Sequence, residues 1–488
     1  MNTKLIYILT SVVLLFASCE KFLDHNPDQR SELETPEQIS ELLVSAYPLA
    51  GYAGFLEAKT DNIVDNFGMP DYVEVLRKSF LFEDPEYEYQ DSPIYYWTNT
   101  YSAIAAANEA LVKIASLSNP EDYSEQRGEA LVARAYAHFM LVNIFSKFYH
   151  AETASNEPGI PYVTGPQTDL TQKYTRETVA VTYQKIEKDL LEGLKLIRDN
   201  YKVSRYHFTR SAAHAFASRF YLYQKRYSEA LRHAELALPG DMVMNLRDYV
   251  NVYDKMSWSE FGQHYASTKE KSNLLLVSAV SNYGYQYHSN RYSANQSVTD
   301  YIVNNTPAGT LDVMYYNIYQ RNLQSYFFEK YSTQFIPSGA NATIGYTYTG
   351  YSLLSSEEVF FNRLEAMVYL GRLDEVLAEL NRYVATRVYT FNASKQITRQ
   401  KIKSYYFDDK ADFDDEDYKL GLIETILNYR RVEFIHEGLR YFDLLRYKRT
   451  IKRRTNDGKE FEIPYNDNRT VSQMPAEVVD EGIALNPR

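Results

Sequence analysis

Two distant stretches of this chain repeat one another, and that repetition limits the fold more than any other feature. From Arg210 to Leu238 apolar residues recur at helical spacing, break at Lys225-Arg226-Tyr227-Ser228-Glu229-Ala230-Leu231, and resume with Ala234, Ala237 and Leu238. From Ser356 to Val384 the same order returns, with Gly371-Arg372-Leu373-Asp374-Glu375-Val376-Leu377 at the break and Leu380 and Val384 beyond it. Aligned on the break, Arg226 falls on Arg372, Glu229 on Glu375 and Leu231 on Leu377. Each copy predicts two helices joined by a tight turn. Such a unit buries its apolar face only against neighbours, so the copies call for a stacked helical scaffold.

A basic residue in the turn, an acidic start and an Ala-rich second helix make the tetratricopeptide pattern. Other segments are helical too. Thr35-Pro36-Glu37 opens a helix with a cap and a proline at its first position, running toward Tyr47. Tyr95 to Leu117 and Gly128 to Phe148 carry apolar and small residues at helical spacing. From Gly240 to Tyr351 the helical period fades and Tyr, Asn, Ser, Gly and Thr crowd in. Segments 282–288 and 345–351 alternate polar and aromatic residues there, as loops or a small sheet do.

The N-terminus reads as an export signal. Met1 to Lys4 is short and basic, Leu5 to Phe16 is apolar, and Ala17-Ser18-Cys19 follows with small residues, so residues 1–18 form a signal peptide. The apolar run is too short to span a bilayer, which takes roughly 20 residues. Cys19 is the only cysteine among 488 residues, so no intramolecular disulfide can form and stability rests on burial. Ala17-Ser18-Cys19 resembles a bacterial lipobox, with Phe16 where Leu is commoner. That resemblance implies cleavage before Cys19 and acylation of it, an anchor strengthened by about 0.8 kcal/mol per buried CH₂. Glu20 to Pro27 reads as a polar tether. The net charge of −12, without a long basic run, argues against nucleic acid. Tyrosine is abundant, 46 residues against 24 Phe and 2 Trp. A flat ring with a polar tip suits wet, sugar-like or peptide-like surfaces as well as helix packing.

The most specific block runs from Asn428 to Arg446 and reads as one long helix with Ile423, Ile426, Leu427, Phe434, Ile435, Leu439, Phe442 and Leu445 on its apolar face. Glu437, Arg440, Asp443 and Arg446 fall at i, i+3 steps with alternating sign, a spacing that lets them pair along one ridge. Gly438 inside a helix costs about 1 kcal/mol relative to Ala and suggests a close backbone crossing. Arg430, Arg431, Glu433, Phe434, Glu437, Gly438, Arg440, Asp443, Leu444 and Arg446 match the C-terminal signature of the SusD/RagB family of outer-membrane nutrient-binding lipoproteins of Bacteroidota, with Tyr447 where that family usually has Trp. The resemblance extends to Cys19 through Asp24, Thr60-Asp61-Asn62, Ala130 to Tyr136, and the tail from Met474 to Pro487.

The resemblance implies a mainly α fold, a tetratricopeptide-like helical-hairpin scaffold with an irregular Tyr-rich ligand-binding subdomain. It also implies a lipid-anchored body outside the cell that binds oligosaccharide or peptide nutrients and hands them to a SusC-type TonB-dependent barrel, without chemistry of its own. The expected organisation is a tether and helical region over 19–239, a Tyr-rich insertion over 240–351, and a second repeat with the signature helix over 352–488.

Residue chemistry agrees that no enzyme is expected. His436-Glu437 lacks the second histidine of a zinc-protease helix, and the nine histidines show no paired spacing. Glu433 and Glu437, among arginines, read as ion-pair partners. A glycosidase pair is defined by a separation in space of roughly 5 to 9.5 Å, which spacing along the chain does not reveal. The acidic run Asp408 to Asp417 lacks the glycine and terminal glutamate of an EF-hand and reads as a solvated loop. No catalytic residue, metal or cofactor is expected. Ligand contacts are expected in irregular segments, where scaffolds carry function: Tyr283, Tyr285, Tyr287 and Tyr292 with Asn290 and Arg291, and Asp71, Tyr72 and Arg77 after Gly68-Met69-Pro70. Trp97 reads as core, whereas Trp258 is ambiguous. The competing readings are a lipid-anchored scaffold for partner proteins and an anchored glycosidase.

Overall fold

The computed structural model describes residues 33–166, 173–286, 290–322, 324–339 and 343–488. Helices carry the scaffold: α1 Pro93–Ser116, α2 Ser124–Phe145, α3 Val179–Leu196, α4 Arg210–Tyr223, α5 Tyr227–Ala237, α6 Ser356–Tyr369, α7 Leu373–Ala385, α8 Asp415–Glu433 and α9 Leu439–Arg446. Several start where the sequence supplies a cap. Ser92, Thr178, Thr209 and Ser355 each accept a hydrogen bond from a backbone N–H three residues on. Along α2, Ala130, Ala133, Ala135 and Ala137 are buried, and α1 and α3 pack closely against it.

The two repeated hairpins are α4–α5 and α6–α7, and they share details beyond their helices. Each turns through one left-handed residue, Lys225 at φ 60° and Gly371 at φ 80°. Each then locks the turn with the arginine three residues before its glutamate: Arg226 reaches Glu229 at 2.8 Å and Arg372 reaches Glu375 at 2.6 Å. Tyr227 and Tyr369 stack between the copies at 4.1 Å, and Arg219 on α4 pairs with Glu358 on α6. The hairpins therefore stack as successive repeats.

The strands are β1 Val64–Asp65, β2 Asn273–Val280, β3 Tyr292–Ser293, β4 Ile318–Asn322, β5 Ser325–Phe328, β6 Ser332–Pro337 and β7 Gly345–Ser355, followed by a hairpin of Ile451–Arg454 with Glu460–Ile463. The antiparallel sheet β2-β7-β6 has β7 at its centre, with Val277 opposite Tyr351 and Ile336 opposite Tyr346. The strand β7 crosses position 351 and runs directly into α6 through the cap Ser355. The stretch read as irregular also holds the helices Trp258–Tyr265, Gln296–Asn304 and Asp312–Asn317. Ser257 with Glu260, and Asn295, cap the first two; these local caps mark helices too short to show a clear period.

The signature block departs from the expected single helix. It leaves α8 at Glu433, turns through His436 at φ 70° and Gly438 at φ 76°, and restarts as α9. The cause is the helix Ala53–Ala58, which crosses there: a Cβ on Gly438 would sit 3.0 Å from Leu56 Cβ, and Gly438 N donates to Glu57 Oε2 at 3.0 Å. The close crossing expected at Gly438 is present, but in a turn. The turn also breaks the expected ridge of charges. Asp443 and Arg446 do pair at 2.7 Å, whereas Arg440 binds Asp61 through two 2.9 Å hydrogen bonds and Glu437 binds Lys330 at 2.7 Å and Tyr265 at 2.9 Å.

The other signature side chains tie distant segments together in the interior. Arg430 reaches Asp443 at 2.9 Å, Arg446 reaches Glu365 at 2.7 Å, Glu433 meets Arg387 at 2.9 Å and Tyr383 at 2.7 Å, and Arg431 donates to Asn62 at 2.7 Å. Phe434 is buried beneath the Arg430 guanidinium. Buried charges persist only when matched in this way. The arginines hold Asp443 and Glu433 below the ordinary carboxylate range against the opposing pull of burial. Glu433 and Glu437 are thus ion-pair members, and Thr60-Asp61-Asn62 is the N-terminal segment to which the signature binds.

Candidate functional site

The pairing of β1 with β3 brings together the two groups of candidate residues that lie far apart in sequence. Asp65 stands opposite Tyr292, Asn66 N donates to Arg291 O at 2.9 Å, and Arg291 N donates to Pro70 O at 2.9 Å. The loop carrying Asp71, Tyr72 and Arg77 is thereby laid along residues 290–293. Arg291 clamps Asp65 through 2.5 and 2.8 Å hydrogen bonds, which keep its guanidinium protonated more firmly than usual. Arg77 lies 3.6 Å from Asp71 and 4.0 Å from Glu74.

A second edge of this surface comes from the start of α1 and from the β6–β7 hairpin. Asn282 joins it to residues 90–91: its N–H donates to Asp91 Oδ2 at 2.8 Å and its side-chain amide to Gln90 Oε1 at 3.1 Å. Ser281 N donates to Thr347 O at 3.0 Å and so fixes the hairpin beside it. The half-buried Tyr95 has Asp91, Glu88 and Tyr346 around it; burial first, and then those neighbours, push its hydroxyl up. Tyr87 packs edge-on against Tyr89 at 5.6 Å, and Tyr89 adjoins Glu74 and Arg77.

Phe67, Tyr72, Tyr87 and Tyr346 expose 65, 57, 59 and 58 % of their surface on this face. Around them stand Asp71, Glu74, Glu86 and Glu88, with Arg77, Lys78 and Arg291 as the cations, whereas the Asp65 side chain and Asp91 are buried beneath the face. Lys78 is already paired with Glu86 at 3.1 Å. The face therefore offers open rings flanked by hydrogen-bonding groups and a surplus of acid. Open rings set between polar groups make this face the candidate recognition surface.

Burial divides the residues expected here. Tyr72, Asp71, Arg77 and Arg291 stand on the face, with Asp71 and Tyr72 exposed. Tyr283, Asn290 and Tyr292 do not reach solvent. Tyr283 packs against Gly54, Phe327 and Tyr331, and Tyr292 lies 4.9 Å from Phe80. Asn290 braces the turn by accepting from Tyr292 N at 3.1 Å. They lie beneath the face, because Tyr283 and Tyr292 pack inward against the core. Tyr287, the side chain of Tyr285, and Cys19 lie outside the described residues. Trp97 is core, as expected, packed against Phe145 at 4.9 Å, and Trp258 is exposed. Sequence reasoning missed Phe67, Tyr87 and Tyr346 as face residues. The alternation around Tyr346 is compatible with loops or a small sheet and does not reveal which side chains meet water.

Two cavities flank α1, one along its first half and one at its far end. A groove of about 470 Å³ runs beside α1, lined by Trp97, Tyr101, Tyr174, Glu88, Glu477 and Glu481. A larger cavity of about 720 Å³ opens among α1, α2 and α3, but several of its charges are paired together: Arg134 with Asp189 at 2.7 Å and Arg127 with Glu192 at 2.6 Å. Among the described residues no group of three His, Cys, Asp or Glu is placed to hold a metal ion, and no helix is long and apolar enough to cross a membrane.

The chain is a stacked-hairpin repeat scaffold that carries an open, aromatic, acid-rich candidate face. The comparisons specify the family. A family model described as starch-binding and associating with the outer membrane matches residues 21–222, and the SusD family model matches residues 278–484. The chain belongs to the SusD/RagB family. A SusD superfamily protein from Bacteroides thetaiotaomicron VPI-5482 is 19% identical, with 93% of this chain and 100% of that one covered and a TM-score of 0.67. A SusD-like carbohydrate binding protein from Bacteroides vulgatus ATCC 8482 is 16% identical, covering 92% and 97%, with a TM-score of 0.63. A laminarin binding SusD-like protein is 16% identical, covering 92% and 99%, with a TM-score of 0.58. At these identities the structures share the fold. No curated protein sequence matches the chain.

Proposed function

We propose that this protein is a lipid-anchored, surface-exposed carbohydrate-binding component of nutrient uptake, holding oligosaccharides on the face of Phe67, Tyr72, Tyr87 and Tyr346 for a SusC-type TonB-dependent transporter. The observation that carries this reading is the set of open rings, Phe67 and Tyr72 beside the β1–β3 pairing, Tyr87 before α1 and Tyr346 on β7, flanked by carboxylates and Arg77. A sugar ring has an apolar C–H face and a rim of hydroxyls, so it stacks on tyrosine while its rim donates to carboxylates. The acid surplus favours neutral glycans over uronate or sulfated ones, because like charges repel. Family membership supports the reading, and two fold relatives bear carbohydrate- or laminarin-binding names. Cys19 carries the lipid, and the body faces the exterior of the outer membrane.

Affinity electrophoresis through gels containing neutral or acidic polysaccharides tests the proposal. A neutral glycan is expected to retard the protein. Tyr72→Ala and Tyr346→Ala are each expected to weaken that retention about tenfold, or 1.4 kcal/mol, with unchanged thermal unfolding. Absence of retardation by every glycan would overturn the reading, and calorimetric titration of a peptide mixture would then examine the peptide alternative.

A further inference from the structure

A second pair of open rings lies outside the face described above. Tyr316, on the helix Asp312–Asn317, and Tyr389, just after α7, face each other with centroids 6.0 Å apart and planes inclined by 42°. They expose 67 and 40 % of their surface, and Phe391, two residues beyond Tyr389, is also exposed.

This exposure does not come from loose attachment. Tyr389 is fastened at both ends: its N–H donates to Asp312 Oδ1 at 2.9 Å and its hydroxyl to Asp254 Oδ1 at 2.6 Å. The helix beneath Tyr316 is anchored by Val313 and Met314, both buried, and by the hydrogen bond from Val313 N to Arg387 O at 3.3 Å. Tyr315 supports Tyr316 edge-on at 5.6 Å. Lys395 stands 3.9 Å from Asp312 and partly balances its charge. The rings are therefore preorganised, with carboxylate oxygens beside Tyr389, and both remain exposed to water. Preorganised rings lose little conformational entropy when a ligand stacks on them.

The pair also connects to the first face. Tyr326 N donates to Ala294 O at 2.9 Å, immediately after β3, and Tyr326 adjoins Asp300 and Tyr315. Tyr326 thus ties the segment after β3 to the neighbourhood of Tyr315, which supports Tyr316.

We propose that Tyr316 and Tyr389, flanked by Asp254 and Asp312, form a second stacking platform for a neutral saccharide, so that one long glycan chain engages both sites. The inference rests on the carbohydrate reading of the first face and adds the length of its ligand. Two linked contacts on one polymer raise the apparent affinity well above that of either contact alone. A short oligosaccharide fills one site and gains nothing from the other.

The test compares wild type, Tyr316→Ala, the double variant Tyr316→Ala/Tyr389→Ala, and Tyr72→Ala. Each is run through gels containing the polysaccharide that retards wild type, and each is titrated with a short oligosaccharide from the same polymer. The platform variants are expected to lose retention on the polymer at least about tenfold, while saturable oligosaccharide binding persists through the first face. Tyr316→Ala alone keeps the test valid if loss of Tyr389's hydrogen bonds disturbs folding. Polymer retention equal to wild type in both platform variants would overturn the second platform and leave the first face intact. A wild type that no glycan retards would overturn both. Binding of an oligolysine probe that Tyr316→Ala abolishes, with glycan retention unchanged, would overturn the saccharide assignment.

Discussion

Single residues in this protein take their roles from partners far away in sequence. His138 is an example. Its Nε2 accepts from Val163 N–H at 3.0 Å, its Nδ1 lies 2.9 Å from Arg134 O, and its ring stacks on Tyr162 at 3.9 Å. It is therefore neutral in the fold, and burial, with Arg134 and Lys185 nearby, pushes its pKa down to about 3. The unfolded chain takes up that proton near pH 6.5. Stability is thus complete above about pH 6.5 and falls as pH drops toward 3, with a slope of up to about 1.4 kcal/mol per pH unit from this residue. His233 and His214, lowered to about 3 and about 4 chiefly by burial, act in the same direction. Denaturant unfolding at pH 7, 6 and 5 is expected to show a progressive loss; equal stability at all three would contradict the assignment. The same dependence on distant partners separates the expected ligand residues. Tyr72 and Tyr283 are the same residue type in loop-like sequence, yet Tyr72 faces water and Tyr283 fills the space beside Gly54.

At the scale of elements, local pattern carried far. The hairpins α4–α5 and α6–α7 were legible because helical period, turn residue and the Arg–Glu pair three residues apart all lie within one short window. The end of α8 was not. Its apolar spacing continues through Phe434, Ile435 and Leu439, and the break is imposed by the crossing helix Ala53–Ala58. Two glycines test this difference. Gly371 has open space around it at φ 80°, so Gly371→Ala bears mainly the left-handed strain, about 1–2 kcal/mol. Gly438 at φ 76° meets Leu56 Cβ at 3.0 Å and Ala53 O at 3.2 Å, so Gly438→Ala bears that strain and a steric clash. Urea denaturation is expected to show a clearly larger loss for Gly438→Ala. Equal losses would mean that the crossing is not tight.

For the whole molecule, the family signature works as a fastener. Arg431 and Arg440 bind the Asp61-Asn62 segment, Arg446 binds Glu365 on α6, and Glu433 binds Arg387 just beyond α7. One continuous hydrophobic core runs beneath these ties, and the candidate face is built on it. The proposed anchor at Cys19 is separable from the proposed glycan binding. Cys19→Ala is expected to move the protein from the membrane fraction to the soluble fraction while glycan retention stays unchanged; a variant that still sediments with membranes would contradict lipidation at Cys19. The sequence by itself determined the helical class, the two repeats and the family, since each is written in residues that are near neighbours or in a contiguous motif. Which tyrosines form a binding face was decided only by tertiary structure. A ring's exposure depends on what packs against it, and here the decisive contacts, β1 on β3 and Asn282 on Asp91, join segments with no pattern in common.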